Sequence, residues 1–181
     1  MEKKSNSILS FMELPDYLTL LGSAFSILAM IYSINQRFVM AAILLILAVL
    51  CDFYDGKIAR LINRKNKQFG EVLDTSVDAV SFVAAPVIFG YSLGLRSPIA
   101  IAALIFFASI ALLRLARFSC VRTTDKGFFV GMPVTYNNLI LPIAYLVIHT
   151  ASVERFLHPV LLLLYFVAAL LMSSTIKWIK F

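Results

Sequence analysis

The chain contains six apolar stretches that are each about as long as a lipid bilayer is thick. A hydrocarbon core of about 30 Å takes roughly 20 consecutive apolar residues to cross as a helix. Stretches of this kind lie at 15–34, 38–58, 76–95, 98–119, 133–150 and 156–176. The chain is 61% hydrophobic, well above the roughly 45–50% of soluble domains. We therefore predict an all-α, polytopic membrane protein with six transmembrane helices, forming a single domain over 1–181.

Positive charge is distributed unevenly between the two predicted sides of the membrane. Of the 16 lysines and arginines, only Arg37, Arg96 and Arg155 fall in connections on one side. The others fall on the opposite side, which the positive-inside rule assigns to the cytoplasm together with both termini. The net charge of +6 is then explained by topology and by attraction to anionic lipid headgroups. It does not indicate a nucleic-acid partner, and the predicted location is the cell membrane.

The N-terminal region gives two further expectations. Residues 4–12 mix Lys and Ser with large apolar side chains, a composition that fits either an interfacial helix on the cytoplasmic surface or a disordered tail. The first apolar stretch has neither the short apolar core nor the small-residue cleavage site of a signal peptide. We therefore expect it to be a retained span.

Four aspartates lie at the ends of the second and third apolar stretches, where an isolated charge is unfavourable. Asp52 and Asp55 are three residues apart, and Asp74 and Asp78 are four apart. Residues at these separations share one face of a helix. Because the short polar segment 63–68 would fold the two helices back antiparallel, we expect all four carboxylates to line one pocket at the cytoplasmic boundary.

A pocket lined only by carboxylate oxygens is typical of hard divalent cations, Mg²⁺ or Mn²⁺, with Ca²⁺ as a further option. Two such ions would balance four negative charges, and paired metals are a known device for displacement at phosphorus. One alternative is a structural ion-pair network with Arg60, Arg64, Lys65 or Arg117. Another is a divalent metal transporter, since intramembrane acids also mark ion pathways, although the middles of the last three stretches carry almost no polar groups.

Small residues accompany the aspartates. Gly56 and Gly70 remove side chains where a ligand must approach the backbone closely, and Ala59 keeps the same face small one turn after Asp55. Arg60 lies beside them and could meet a phosphate. A small-residue face for helix packing is the alternative, but in combination with the acids these residues predict a slot for a phosphorylated ligand.

At this point the sequence resembles a known family. The pattern Asp52-x2-Asp55-Gly56-x2-Ala59-Arg60-x9-Gly70-x3-Asp74-x3-Asp78 resembles the signature of the CDP-alcohol phosphotransferases. The resemblance implies a membrane enzyme with six spanning helices, usually a homodimer. It further implies transfer of a phosphatidyl-type group from a CDP-linked lipid to a hydroxyl, with release of CMP.

The resemblance also implies roles for individual residues. Asp52, Asp55 and Asp74 would bind one divalent ion, and Asp52, Asp74 and Asp78 the second. Asp78 would in addition be the general base. The CDP-lipid would be held by residues from two segments, of which the first, "LPDYLTLLG", resembles the family's opening Pro-x3-Leu-Thr element. These CDP-lipid residues are Thr19, Gly56, Ala59, Arg60 and Gly70.

The acceptor is predicted from the end of the fourth stretch and the region that follows it. "RLARF" at 114–118 and "FFVGMP" at 128–133 resemble the phosphatidylserine synthase branch of that family. Arg114, Arg117 and Arg122 would form the acceptor site, with L-serine as the preferred acceptor and an arginine on its carboxylate. Two alternatives are a glycerol phosphate or inositol phosphate acceptor, and arginines that serve only as snorkelling anchors.

Overall fold

The computed structural model describes residues 11–62, 66–120 and 128–179. The predicted interfacial segment 4–12 lies outside this part of the chain except for its last two residues. Within the described residues, five helices are long and apolar enough to cross a membrane. They occupy Leu14–Ile34, Phe38–Leu61, Lys67–Ser92, Pro98–Cys120 and Glu154–Ser173.

Shorter elements complete the helical bundle. Helices α1 (Leu14–Ile34) and α2 (Phe38–Leu61) are continuous, whereas the third span consists of α3 (Lys67–Asp78), a π-helical turn (Ala79–Ala84) and α4 (Ala85–Ser92). Helix α5 (Pro98–Cys120) is the fourth span. Helix α6 covers Asn137–Thr150 after a 3-10 turn at Val134–Tyr136, and α7 covers Leu157–Ser173 after a 3-10 turn at Glu154–Phe156.

Five of the six predicted spans are thus helices of spanning length. The remaining one, the fifth in chain order, is not confirmed. The stretch 133–150 contains α6, which has 14 residues and is about 21 Å long at 1.5 Å per residue. Pro133 stands outside the helix with an extended backbone, and a 3-10 turn follows it. Because of these features the regular α-helix begins only at Asn137. The helix that remains is shorter than the roughly 20 residues that a bilayer requires.

One pair of short strands departs from the all-α prediction. Strand β1 (Phe128–Val130) pairs antiparallel with β2 (Lys177–Ile179). Gly131 directly follows β1 with φ +79°, and a Cβ at this position would lie 2.6 Å from the Met172 carbonyl oxygen. The chain can turn this tightly because glycine adopts a positive φ without steric penalty.

Most residues of the candidate spans are not buried inside the bundle. Between 28% and 39% of each candidate span is buried inside the protein. Where helices meet, small residues allow close approach, as is usual between membrane helices. Gly22 of α1 lies so close to α2 that a Cβ there would be 3.1 Å from the Cys51 Cβ, and Ala41, Ala42 and Ala48 of α2 are buried.

A tyrosine joins the last span to the third. Tyr165 of α7 is fully buried, stacks edge-on against Phe107, and donates a hydrogen bond from its hydroxyl to the Pro86 carbonyl. Gly90 lies directly against the same hydroxyl, since a Cβ at this position would be 2.6 Å from the hydroxyl oxygen. The contact fixes α4 against α7. The acidic residues Asp74 and Asp78 lie at the other end of the same span, in α3.

Candidate active site

The acids that the sequence places on two helices converge in the structure. One carboxylate oxygen from each of Asp52, Asp74 and Asp78 lies within 4.8 Å of the other two. Asp52 is near the end of α2, whereas Asp74 and Asp78 are one turn apart in the second half of α3. The antiparallel fold-back of the two helices therefore produces the predicted cluster, and all three side chains are half-buried.

The fourth acid, Asp55, is held in a different way. It is 5% exposed, and its Oδ2 accepts a hydrogen bond of 2.6 Å from the Thr19 hydroxyl of α1. Asp55 lines the same small cleft as Asp52 and Asp78, together with Gly22 and Thr19. The structure thus places Thr19 at the cluster, with its hydroxyl on a carboxylate.

The remaining predicted CDP-lipid residues lie beside the cluster on the same two helices. Arg60 is exposed and folds back so that its Nε donates to the Gly56 carbonyl over 3.0 Å. Ala59 is half-buried, and Gly70 is buried in the first turn of α3. The open side of Gly56, whose nearest described neighbour is the Arg60 guanidinium, gives a ligand access to the backbone next to a cation.

The predicted acceptor arginines have different environments. Arg114 of α5 is partly buried, its Nε is fully buried without a hydrogen-bond partner among the described residues, and its charge acts on Asp78. Arg117 lies one turn later and is exposed. Arg122 falls outside the described residues. Of the two described acceptor arginines, Arg114 is therefore the one whose guanidinium charge acts on the acids.

Two buried polar residues at the site were not predicted from the sequence. Ser81, in the π turn, lines the cleft with Asp78, and its Oγ has no hydrogen-bond partner among the described residues. Asn138 of α6 donates from Nδ2 to the Ser81 carbonyl over 2.8 Å. Their signal in the sequence is a polar side chain within an apolar stretch, which in a membrane protein indicates a functional or structural partner.

The start of α1 is stabilised by local capping. The Glu13 N–H donates to Asp16 Oδ2 over 2.7 Å, and the Glu13 side chain accepts from the first turn in return, which forms a capping box. Glu13 Oε1 also accepts a bond of 2.9 Å from the backbone N–H of Asn66, which precedes α3. The capping acids therefore tie the first helix, which carries Thr19, to the helix that carries Asp74 and Asp78.

The donor atoms of this arrangement suit a divalent cation. Carboxylate oxygens within 4.8 Å of each other repel strongly in a partly buried setting, and they match the hard-oxygen ligand set of Mg²⁺ or Mn²⁺. A sequence model of the CDP-alcohol phosphatidyltransferases matches residues 12–179. The chain belongs to this family. The match includes all four aspartates and every described element.

Several curated proteins are similar to this family member. A CDP-diacylglycerol–serine O-phosphatidyltransferase of Saccharomyces cerevisiae is 32% identical over 157 residues, which cover 78% of this chain and 56% of the yeast protein. An archaetidylserine synthase of Methanothermobacter thermautotrophicus is 37% identical over 131 residues, covering 70% of this chain and 55% of the synthase. A Helicobacter pylori CDP-diacylglycerol–serine O-phosphatidyltransferase is 33% identical over 126 residues, covering 66% and 52%. The chain spans about half the length of these curated relatives.

Proposed function

We propose that the chain transfers a phosphatidyl-type group from a CDP-linked lipid to L-serine and releases CMP. The observation that carries this proposal is the convergence of Asp52, Asp74 and Asp78 within 4.8 Å next to the charge of Arg114. A cation site beside a guanidinium suits a reaction between a diphosphate and an acceptor that bears a carboxylate. The names of the similar proteins support serine as the acceptor.

Divalent ions, Mg²⁺ or Mn²⁺, fit the residues present. Asp52, Asp55 and Asp74 would hold one ion, and Asp52, Asp74 and Asp78 the other. When bound, the ions would offset the negative charge of the cluster and stabilise charge that develops on the diphosphate. The hydrogen bond from Thr19 to Asp55 would restrict the rotation of this carboxylate and so help to fix one ligand.

The other side chains would bind and orient the substrates. Gly56, Ala59, Arg60 and Gly70 would receive the cytidine and diphosphate, and Arg114 would pair with the serine carboxylate. The serine hydroxyl oxygen then attacks the lipid-bearing phosphorus, and the bond from this phosphorus to the bridging oxygen breaks. CMP leaves with the bridging oxygen, and Asp78 accepts the hydroxyl proton.

Two further features of the prediction belong to this proposal. The active site and both termini would face the cytoplasm, and two copies of the chain would form a homodimer. The uneven charge distribution supports the first, and the family resemblance supports the second. Light scattering of the purified protein, with the detergent contribution subtracted, tests the dimer.

The proposed reaction is tested with purified protein reconstituted in lipid nanodiscs. The protein is incubated with Mg²⁺ or Mn²⁺, CDP-diacylglycerol or CDP-archaeol, and one of three acceptors: L-serine, glycerol phosphate or inositol phosphate. CMP release and the mass of the lipid product are measured. We expect a serine-containing product, no turnover in EDTA, and recovery when the metal is restored.

Each part of the proposal can be contradicted separately. Full CMP release in EDTA would contradict the metal site. If products form only with glycerol phosphate or inositol phosphate, the group-transfer reaction stands but L-serine is not the acceptor. Comparison of the two CDP-lipids decides between ester and ether tails.

A further inference from the structure

The helix that carries Asp74 and Asp78 changes its hydrogen-bonding pattern directly after Asp78. Residues Ala79–Ala84 form a π-helical turn, at the end of which the Ala85 N–H bonds to the Val80 carbonyl, five residues earlier. If the pattern continued, the Ser81 carbonyl would receive its bond from residue 86. This residue is a proline and has no N–H to donate.

Asn138 supplies the donor that the proline lacks. Its Nδ2 lies 2.8 Å from the Ser81 carbonyl oxygen. Asn138 is 0% exposed and Ser81 is 1% exposed, so water does not have free access to replace this bond. A buried carbonyl without a donor is unfavourable, and the Asn138 amide therefore stabilises the π turn in its present form.

We infer that Asn138 is a positioning residue for the acidic cluster: by bonding to the Ser81 carbonyl, it holds the π turn that sets the rotation of Asp78 relative to Asp52. The inference rests on the metal site of the proposed function. Ser81 and Asp78 are one turn apart and line the same cleft as Asp52, so a change in the turn is transmitted directly to the carboxylate.

The surroundings of the third span determine which part of it can rotate. On the far side of the turn, the Tyr165 hydroxyl donates to the Pro86 carbonyl and lies against Gly90. Relaxation of a π turn to α-helix shifts the helix on one side by one residue, about 100° around its axis at 3.6 residues per turn. Since α4 is fixed, α3 with Asp74 and Asp78 would take up this rotation, and the cluster would open.

The first test is Mn²⁺ binding to the purified full chain, measured without substrates by electron paramagnetic resonance of the free ion. Asn138→Leu removes the amide and keeps the branching and the number of heavy atoms of the side chain. Replacement of residues that orient metal ligands typically lowers affinity by about tenfold to a hundredfold, and we expect a loss of this size. Turnover with CDP-lipid and serine should fall in parallel.

Asn137→Leu is the matched control. Asn137 is also 0% exposed, but its Nδ2 lies 3.4 Å from the Met172 sulfur of α7, and among the described residues it makes no hydrogen bond to the π turn. The control therefore deletes an equally buried amide from the same helix turn. We expect it to leave Mn²⁺ affinity close to that of the unmodified chain. Equal losses in both variants would contradict a specific role for Asn138.

The second test restores a backbone donor. Pro86→Ala returns an N–H to the helix, so that the Ser81 carbonyl no longer depends on the Asn138 amide. In the Pro86→Ala background, Asn138→Leu should then have little effect on Mn²⁺ affinity. Equal weakening in both backgrounds would overturn the inference, because a merely structural role for Asn138 does not depend on the donor at residue 86.

The outcomes separate this inference from the proposed function. If the unmodified chain does not bind Mn²⁺, the metal site fails and the positioning role fails with it. If the unmodified chain and Asn138→Leu bind Mn²⁺ equally well, only the positioning role is wrong. Should Asn138→Leu fail to fold, Asn138→Ser replaces it. Serine is too short to reach the Ser81 carbonyl, and the same loss of affinity is expected.

Discussion

Four aspartates of similar sequence context have different roles in the proposed mechanism because their neighbours differ. Asp55 is buried and receives the Thr19 hydroxyl, which restricts it to a ligand role. Asp78 lies in the cluster with Asp52 and Asp74, and the Arg114 charge acts on it. In the proposed mechanism Asp78 is therefore the member of the acidic cluster that receives the proton of the acceptor hydroxyl.

Asp78→Asn tests this assignment. The amide keeps an oxygen that can contact a metal but cannot accept the proton, so turnover should fall by about 10²–10⁴-fold, the range typical of general-base loss. Binding of the CDP-lipid, measured separately by calorimetry, should largely survive. Glu71→Gln is the control, because Glu71 lies on the same helix but faces Lys67 at 3.9 Å. Near-normal turnover in Asp78→Asn would exclude Asp78 as the base.

The two described acceptor arginines are distinguished by the same conservative substitution. Arg114→Lys keeps the charge but loses the two-pronged geometry that matches a carboxylate. Loss of a charge-assisted hydrogen bond of about 1.5–3 kcal/mol should raise the KM for serine by roughly tenfold to a hundredfold and change the KM for CDP-lipid little. Arg117 is exposed, so Arg117→Lys should change neither the KM for serine nor the KM for CDP-lipid. A larger effect in Arg117→Lys would move the serine site to that residue.

At the scale of elements, the contact between α4 and α7 depends on a glycine. A Cβ at Gly90 would lie 2.6 Å from the Tyr165 hydroxyl oxygen, so Gly90→Ala must displace a fully buried tyrosine. Overpacking of this kind destabilises by about 1–3 kcal/mol. We expect a lower midpoint in thermal unfolding followed by circular dichroism.

Gly56→Ala provides the comparison for the same measurement. The nearest described heavy atom to a Cβ at Gly56 is the Arg60 Nη2 at 4.0 Å. Thermal stability should therefore stay unchanged, whereas CDP-lipid binding should weaken because the Cβ occupies the proposed slot. A stable Gly90→Ala protein with intact Tyr165 contacts would contradict the packing argument.

The helices of the fold could largely be predicted from apolar length, because membrane spans are set by bilayer thickness. Four of the five confirmed spans agree with the prediction within three residues at each end, whereas the third begins at Lys67 and not at 76. Short elements could not be predicted. The strand pair depends on a contact between residues about 50 apart in sequence, and no local pattern encodes such pairing.

The acidic cluster could also be predicted, since helical spacing alone places each pair of aspartates on one face. The sequence could not separate Asp55 from the other three, because that difference arises from Thr19 on another helix. The π turn and its Asn138 contact were missed for the same reason. Pro86 was the available signal: a proline within a helix removes a donor, but the residue that replaces this donor is found only in the folded structure.

The whole molecule is polarised along the membrane normal. Four helix ends meet at one end of the bundle: the start of α1, the end of α2, the start of α3 and the end of α5. There the hydroxyl oxygens of Thr75 and Ser119 lie 3.1 Å apart. All the predicted site residues that are described lie at this end. The opposite end carries the loops with Arg37, Arg96 and Arg155. A charged CDP-linked headgroup crosses a bilayer unfavourably, so the side that this end faces decides which leaflet would supply the proposed CDP-lipid substrate.

Cysteine labelling tests the orientation that we propose. The chain has two cysteines, of which Cys120 is exposed at the end of α5 and Cys51 is half-buried. In Cys51→Ala, expressed in bacterial cells, a membrane-impermeant maleimide should label Cys120 in inside-out vesicles and not in intact cells. The control carries Val153→Cys in an otherwise cysteine-free chain and should show the reverse, since Val153 is exposed at the opposite end. If Cys120 is labelled from outside intact cells, the orientation is inverted: the acidic cluster then faces the outer leaflet, and the positive-inside argument fails for this protein.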